Sequence, residues 1–169
     1  RPLSAYKEAS RSLKEIMRAD ETLPAGMAAT RIDFSGYLYN LSDRLMSAFN
    51  ADARKFSVLI RAEGIHLRLS TAISCGLIIS ELLGEALKYC VGTGEPVKIQ
   101  IDLMEEDGDL LKLNLCDEGA GLPAMVSAAY PVFPGMQVIQ DQAAHLNAEV
   151  IVRTGEKTTI ALSFHEKAG

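Results

Sequence analysis

Three observations predict a two-layer α/β sandwich, with one mixed and mostly antiparallel sheet, helices on one face and an additional N-terminal helix. Residues 70–89 place Ile73, Leu77, Ile78, Leu82, Ala86 and Leu87 at three- and four-residue steps, the spacing of a helix that buries one face. Residues 97–103 and 111–116 alternate apolar with polar, the spacing of half-buried strands, and residues 148–153 and 158–164 read as the two strands of a closing hairpin. The segments follow in the order helix, strand, strand, helix, strand, strand after a first helix and strand, an order that packs one layer of each type. Periodicity takes the prediction no further than two layers.

Taken in order, residues 3–23 carry Leu3, Tyr6, Leu13, Ile16, Met17 and Leu23 on one helical stripe, with Pro2 suited to its first turn and Pro24 ending it. Residues 25–30 are small and read as a connecting loop. Asp33 or Ser35 is available to cap a helix over residues 34–49, where Leu38, Leu41, Leu45 and Phe49 share a face. Residues 55–62 read as a strand, and residues 65–69 as a short strand or the entry to the central helix, with His66 on its polar side. Gly92, Gly94 and Pro96 break the chain before the next strand. Residues 105–109 read as an acidic, solvated hairpin turn. Residues 124–134, with Pro131 and Pro134, are too irregular for a regular element. A helix follows to Leu146, then a hairpin closing across residues 155–157.

With 169 residues, 48% of them hydrophobic, the chain is long enough for one domain plus an appendage. A formal charge of −5 and the lack of a basic stripe argue against nucleic acid as a partner. No apolar run reaches the ~18 residues that span a bilayer and no charged-then-apolar leader pattern is read in these residues, so a cytoplasmic domain is expected. Cys75, Cys90 and Cys116 are an odd number set among apolar residues, the pattern of reduced core thiols. The chain begins at Arg1, which reads as a fragment or processed product.

Two stretches carry chemistry. In the central helix Glu81, Glu85 and Lys88 lie at i, i+4 and i+7, a row of ionisable groups on an otherwise apolar helix. Such a row is either a solvated edge or the floor of a site. The two carboxylates repel by a few tenths of a kcal/mol, and Lys88, three residues from Glu85, is placed to offset them. About thirty residues later a strand ends in Asp117, followed by Gly119 and Gly121, a pattern for a backbone that bends and approaches a ligand closely.

Together these stretches resemble the N box, Glu-Leu-x-x-Asn-Ala-x-Lys, and the first glycine box, Asp-x-Gly-x-Gly, of the GHKL ATPase superfamily in its histidine-kinase branch. The chain reads Glu81-Leu82-Leu83-Gly84-Glu85-Ala86-Leu87-Lys88, and Asp117, Gly119 and Gly121 match the second box. The nearest likeness is to HWE-related sensor kinases, through Thr71-Ala72-Ile73 before the box and Tyr89 after it. The resemblance implies a Bergerat ATP-binding fold over residues 31–169. It implies that residues 1–30 are a remnant of a dimerisation and phosphotransfer hairpin, able to pair two copies, with a response regulator as partner. It also implies ATP and Mg2+ as cofactors. Asp117 would accept the adenine amino group, Gly119 and Gly121 would admit the base, Glu81 and Lys88 would lie at the phosphates, and Thr158 would close the pocket.

Two positions depart from the pattern. Glu85 stands where the family has its magnesium-holding asparagine, and Gly135-Met136-Gln137-Val138 keeps only the first glycine of the lid motif, with Gln137 in place of the second. A carboxylate ligates magnesium through oxygen as an amide does, but adds charge where the phosphates already carry it. These departures imply a domain of kinase shape with weakened or lost ATP use. Two readings stand: a histidine-kinase catalytic domain that tolerates Glu85, and a pseudokinase or phosphotransfer-type module that binds a response regulator without ATP. A chaperone- or topoisomerase-type GHKL ATPase fits less well, because the chain is short.

Overall fold

One layer is a five-stranded sheet, seen in a computed structural model that describes residues 31–118, 135–153 and 155–166. The elements are β1 (Arg31–Asp33), α1 (Phe34–Ala48), β2 (Phe56–Arg61), β3 (His66–Arg68), α2 (Leu69–Thr93), β4 (Val97–Glu106), β5 (Leu110–Asp117), α3 (Met136–His145), β6 (Glu149–Arg153) and β7 (Thr158–His165). The strands of that sheet lie in the order β2-β4-β5-β7-β6; among the described residues only β2 and β4 run parallel, and the β4-β5, β5-β7 and β6-β7 pairs are antiparallel. The N-terminal helix expected over residues 3–23, the lid segment and the glycines Gly119 and Gly121 lie outside the described residues.

Alternation puts one face of the sheet against the helices. Val97, Ile99, Ile101 and Leu103 of β4, Leu111, Leu113 and Leu115 of β5, and Ile160, Leu162 and Phe164 of β7 are buried in a single core with α1, α2 and α3. The other face carries Lys98, Gln100, Asp102, Lys112 and Asn114, so the molecule has two layers as predicted. Each of the three described helices stops at a left-handed residue, Asn50 (φ 50°), Gly94 (φ 75°) and Asn147 (φ 51°). In each case a backbone N–H just beyond the helix bonds back to it: Ala51 to the Met46 carbonyl, Gly94 to Cys90 and Ala148 to Ala143, at 2.9, 2.8 and 2.8 Å.

Several expectations need correction. β1 was not expected; it pairs antiparallel with β3 in a separate two-stranded sheet, and strands of three residues hold too few positions to show a period. α2 runs on to Thr93, past the expected break at Gly92, because the left-handed turn falls at Gly94. Glu105 and Glu106 belong to β4, and the turn is confined to residues 107–109, where Gly108 and Asp109 both take positive φ. His165 ends β7. Cys116 is half-exposed on the open face, since it alternates with buried Leu115 and Asp117, whereas Cys75 and Cys90 are core thiols. By length and composition α2 would also serve as a membrane span, contrary to the sequence reading; here most of it is buried as the core helix of the fold.

Candidate nucleotide site

Asp117 is the last residue of β5, and the register places it directly opposite Thr158, the first residue of β7. Both are fully buried. Asp117 follows Leu113 and Leu115 in the alternation, so its side chain lies on the helix-bearing face, in the layer that also holds α2. The Thr158 hydroxyl has no hydrogen-bond partner among the described residues. Leaving such a group unsatisfied costs roughly 1–3 kcal/mol, which a ligand atom or an ordered water would recover.

The ends of these strands are braced from the opposite face. Glu118 N–H donates to the Lys98 carbonyl (3.1 Å), extending the β4-β5 ladder by one step. Lys157 Nζ donates to Glu118 Oε1 at 2.9 Å. The ammonium and its hydrogen bond hold the Glu118 carboxyl below its usual range, and Glu118 raises Lys157 in return. Sequence reasoning missed this brace. Its signal, an acid just after Asp117 and a base just before Thr158, becomes legible only once the strands are in register.

The polar row of α2 is placed less openly than its spacing implied. Glu81 is buried, which removes the solvated-edge alternative for that residue. A Cβ at Gly135 would overlap the Glu81 carboxylate, so Glu81 keeps this position beside α3 only because residue 135 is glycine. Gly135 is also the N-cap of α3, whose first N–H groups form the positive end of the helix dipole. A helix end of that kind would suit a phosphate, but a protein carboxylate already packs against it.

Lys88 Nζ donates to Glu85 Oε1 at 2.6 Å, the pairing that the i, i+3 spacing anticipated, with side chains 33% and 17% exposed. Glu85 is therefore engaged by an ammonium of its own helix. Gln137, where the family has a glycine, is exposed and bonds Asp141 through its side-chain amide at 2.7 Å.

The residues thus fit the two ends of a magnesium nucleotide unequally. At the base end, a buried aspartate faces an orphaned hydroxyl. At the phosphate end, Glu81 lies against the α3 terminus and Glu85 is held by Lys88, and no three His, Cys, Asp or Glu side chains among the described residues converge as a metal-binding set. A phosphate-bound magnesium ion needs only one or two protein oxygens, and the carboxylate available for it, Glu85, is already ion-paired with Lys88.

No family model matches the chain, and no curated protein matches it. Among solved structures it is similar to the histidine kinase domain from Erythrobacter litoralis EL346 blue-light activated histidine kinase, at 22% identity and TM-score 0.72 over 97% of this chain and 74% of that one. It is also similar to the Erythrobacter litoralis EL346 blue-light activated histidine kinase, at 21% identity and TM-score 0.67 over 79% of this chain and 42% of that one. The mycobacterial sensor histidine kinase MprB gives 14% identity and TM-score 0.55 over 80% of this chain and 95% of that one. At such identities the likeness speaks to architecture, and it agrees with the fold that the two boxes implied. The chain has the α/β sandwich fold of the histidine-kinase ATP-binding domain.

Proposed function

We propose that residues 31–169 are the ATP-binding domain of a bacterial two-component signalling protein, acting in the cytoplasm, whose kinase activity is weakened or lost. The observation that supports this best is the buried Asp117–Thr158 pair with its orphaned hydroxyl. In this reading Asp117 accepts the adenine amino group and Thr158 closes the pocket. Gly119 and Gly121 let the backbone approach the base, and Glu81 and Lys88 flank the phosphate end, with Gly135 opening the helix beside them. When bound in kinases of this type, magnesium neutralises the phosphate tail so that it can be positioned for transfer. Here Glu85 takes the metal position and its charge is drawn to Lys88.

That ion pair, with Glu81 against the α3 terminus, favours a second reading. The domain is then a pseudokinase that keeps the fold to bind a response regulator, with residues 1–30 pairing two copies. Both readings share the adenine end. Fluorescence titration with methylanthraniloyl-ADP in the absence of metal tests it. Asp117→Asn should weaken binding by about tenfold or more, the scale of one hydrogen bond to a charged group, and Thr158→Val by several-fold. Equal affinity of the wild-type chain and Asp117→Asn would remove the nucleotide reading.

A further inference from the structure

Among the described residues strand β6 is an edge of the five-stranded sheet, and nothing in its own sequence protects it. Among the described residues it pairs only with β7. Its five residues, Glu149-Val150-Ile151-Val152-Arg153, are all exposed, with Val150, Ile151 and Val152 at 40%, 40% and 45%. Edge strands usually carry a proline, a bulge or a central charge that discourages pairing. β6 has none of these, and its charges stand only at its two ends.

Those ends are opposite in sign, and the strand is self-complementary when reversed. In an antiparallel arrangement centred on Ile151, Glu149 faces the partner's Arg153, Val150 faces the partner's Val152, and Ile151 faces the partner's Ile151. Both charge pairs then fall on the open face of the sheet, because Glu149 and Arg153 share a side with Ile151. The other edge strand lacks this property: reversing Phe56–Arg61 sets Arg61 against Phe56.

We propose that β6 is a self-association surface, on which a second copy of this chain adds its own β6 across a two-fold axis through Ile151. The two five-stranded sheets join into one, and every β6 backbone group on the free side gains a partner. A seam of five residues a side buries well under ~1,000 Å², so the dimer is transient, with a dissociation constant of roughly tens to hundreds of micromolar. The inference stands independently of nucleotide binding.

Sedimentation over a concentration series of the full chain tests it by charge exchange. Glu149→Arg and Arg153→Glu each set like charges opposite one another and should weaken association by about fivefold or more. The double variant Glu149→Arg/Arg153→Glu recreates the complement and should restore it. Under oxidising conditions Ile151→Cys should give a disulfide-linked dimer, since directly opposed antiparallel residues lie ~4.5–5.5 Å apart between Cα atoms, whereas Glu149→Cys should not. A monomer at about millimolar concentration overturns the proposal. So does association that ignores both single exchanges, as a dimer made through residues 1–30 would, or a double variant that fails to recover.

Discussion

Gly76 shows how much one missing methyl decides. A Cβ there would overlap the hydroxyl and ring of Tyr37, so the Tyr37 ring of α1 takes this place against α2 only because residue 76 has no side chain. Gly76→Ala should cost about 1–3 kcal/mol in urea unfolding, the usual penalty of overpacking, and Tyr37→Phe should return part of it. The Tyr37 hydroxyl is buried without a partner among the described residues, and burial, with the neighbouring Cys75 next, raises its pKa from 10.0 to about 12. The folded state holds this proton more tightly than the unfolded chain, so its contribution is complete below pH 10 and is lost as pH rises toward 12. Alkaline unfolding followed by circular dichroism should therefore shift upward in pH in Tyr37→Phe. Legibility at this scale was uneven. The spacing of Glu81, Glu85 and Lys88 was visible, and so was the Glu85–Lys88 pair. The burial of Glu81 was not, because it depends on α3 arriving from 55 residues later with a glycine at its cap.

Among the elements, α2 is tied at its start by a residue from the far end of the chain. Glu166 Oε1 accepts from the N–H of Arg68, the N-cap of α2, at 2.7 Å, and its other oxygen pairs with Arg31 Nη1 at 2.6 Å. In a capping box the third helical residue supplies the carboxylate for that N–H. Here the third residue is Thr71, and Glu166 does this from 98 positions away while clamping β1. Glu166→Ala should lower stability by about 1–2 kcal/mol in denaturant unfolding, the range for losing a cap. Arg31→Ala, at a half-exposed position, should cost under about 1 kcal/mol. In the double variant the two losses should sum to less than their separate values, and simple additivity would show that the clamp is not one unit. Neither β1 nor this clamp was legible in the sequence: one is too short to show a period, and the other joins residues that no local pattern relates.

At the scale of the whole molecule, the two-layer sandwich and the succession of its main elements along the chain were readable because each core strand alternates cleanly and each long helix repeats its apolar step, while the order of the strands across the sheet was not. β6 was read as a strand as well, but not its exposure, since burial depends on what a strand lies against. The site divides along the same line. Asp117 and Thr158 were each recognisable by motif, while their opposition across β5 and β7 is a property of register. The unequal fit of the two ends of the site, which underlies the proposed loss of kinase activity, is open to one decisive measurement: calorimetry of ATP binding with and without magnesium, on the wild-type chain and on Glu85→Asn. The expected result is weak wild-type binding that magnesium does not strengthen, and binding about tenfold tighter or more with magnesium in Glu85→Asn, once a like charge is removed from the phosphate end. Tight, magnesium-dependent binding by the wild-type chain, unchanged by the substitution, would contradict the account.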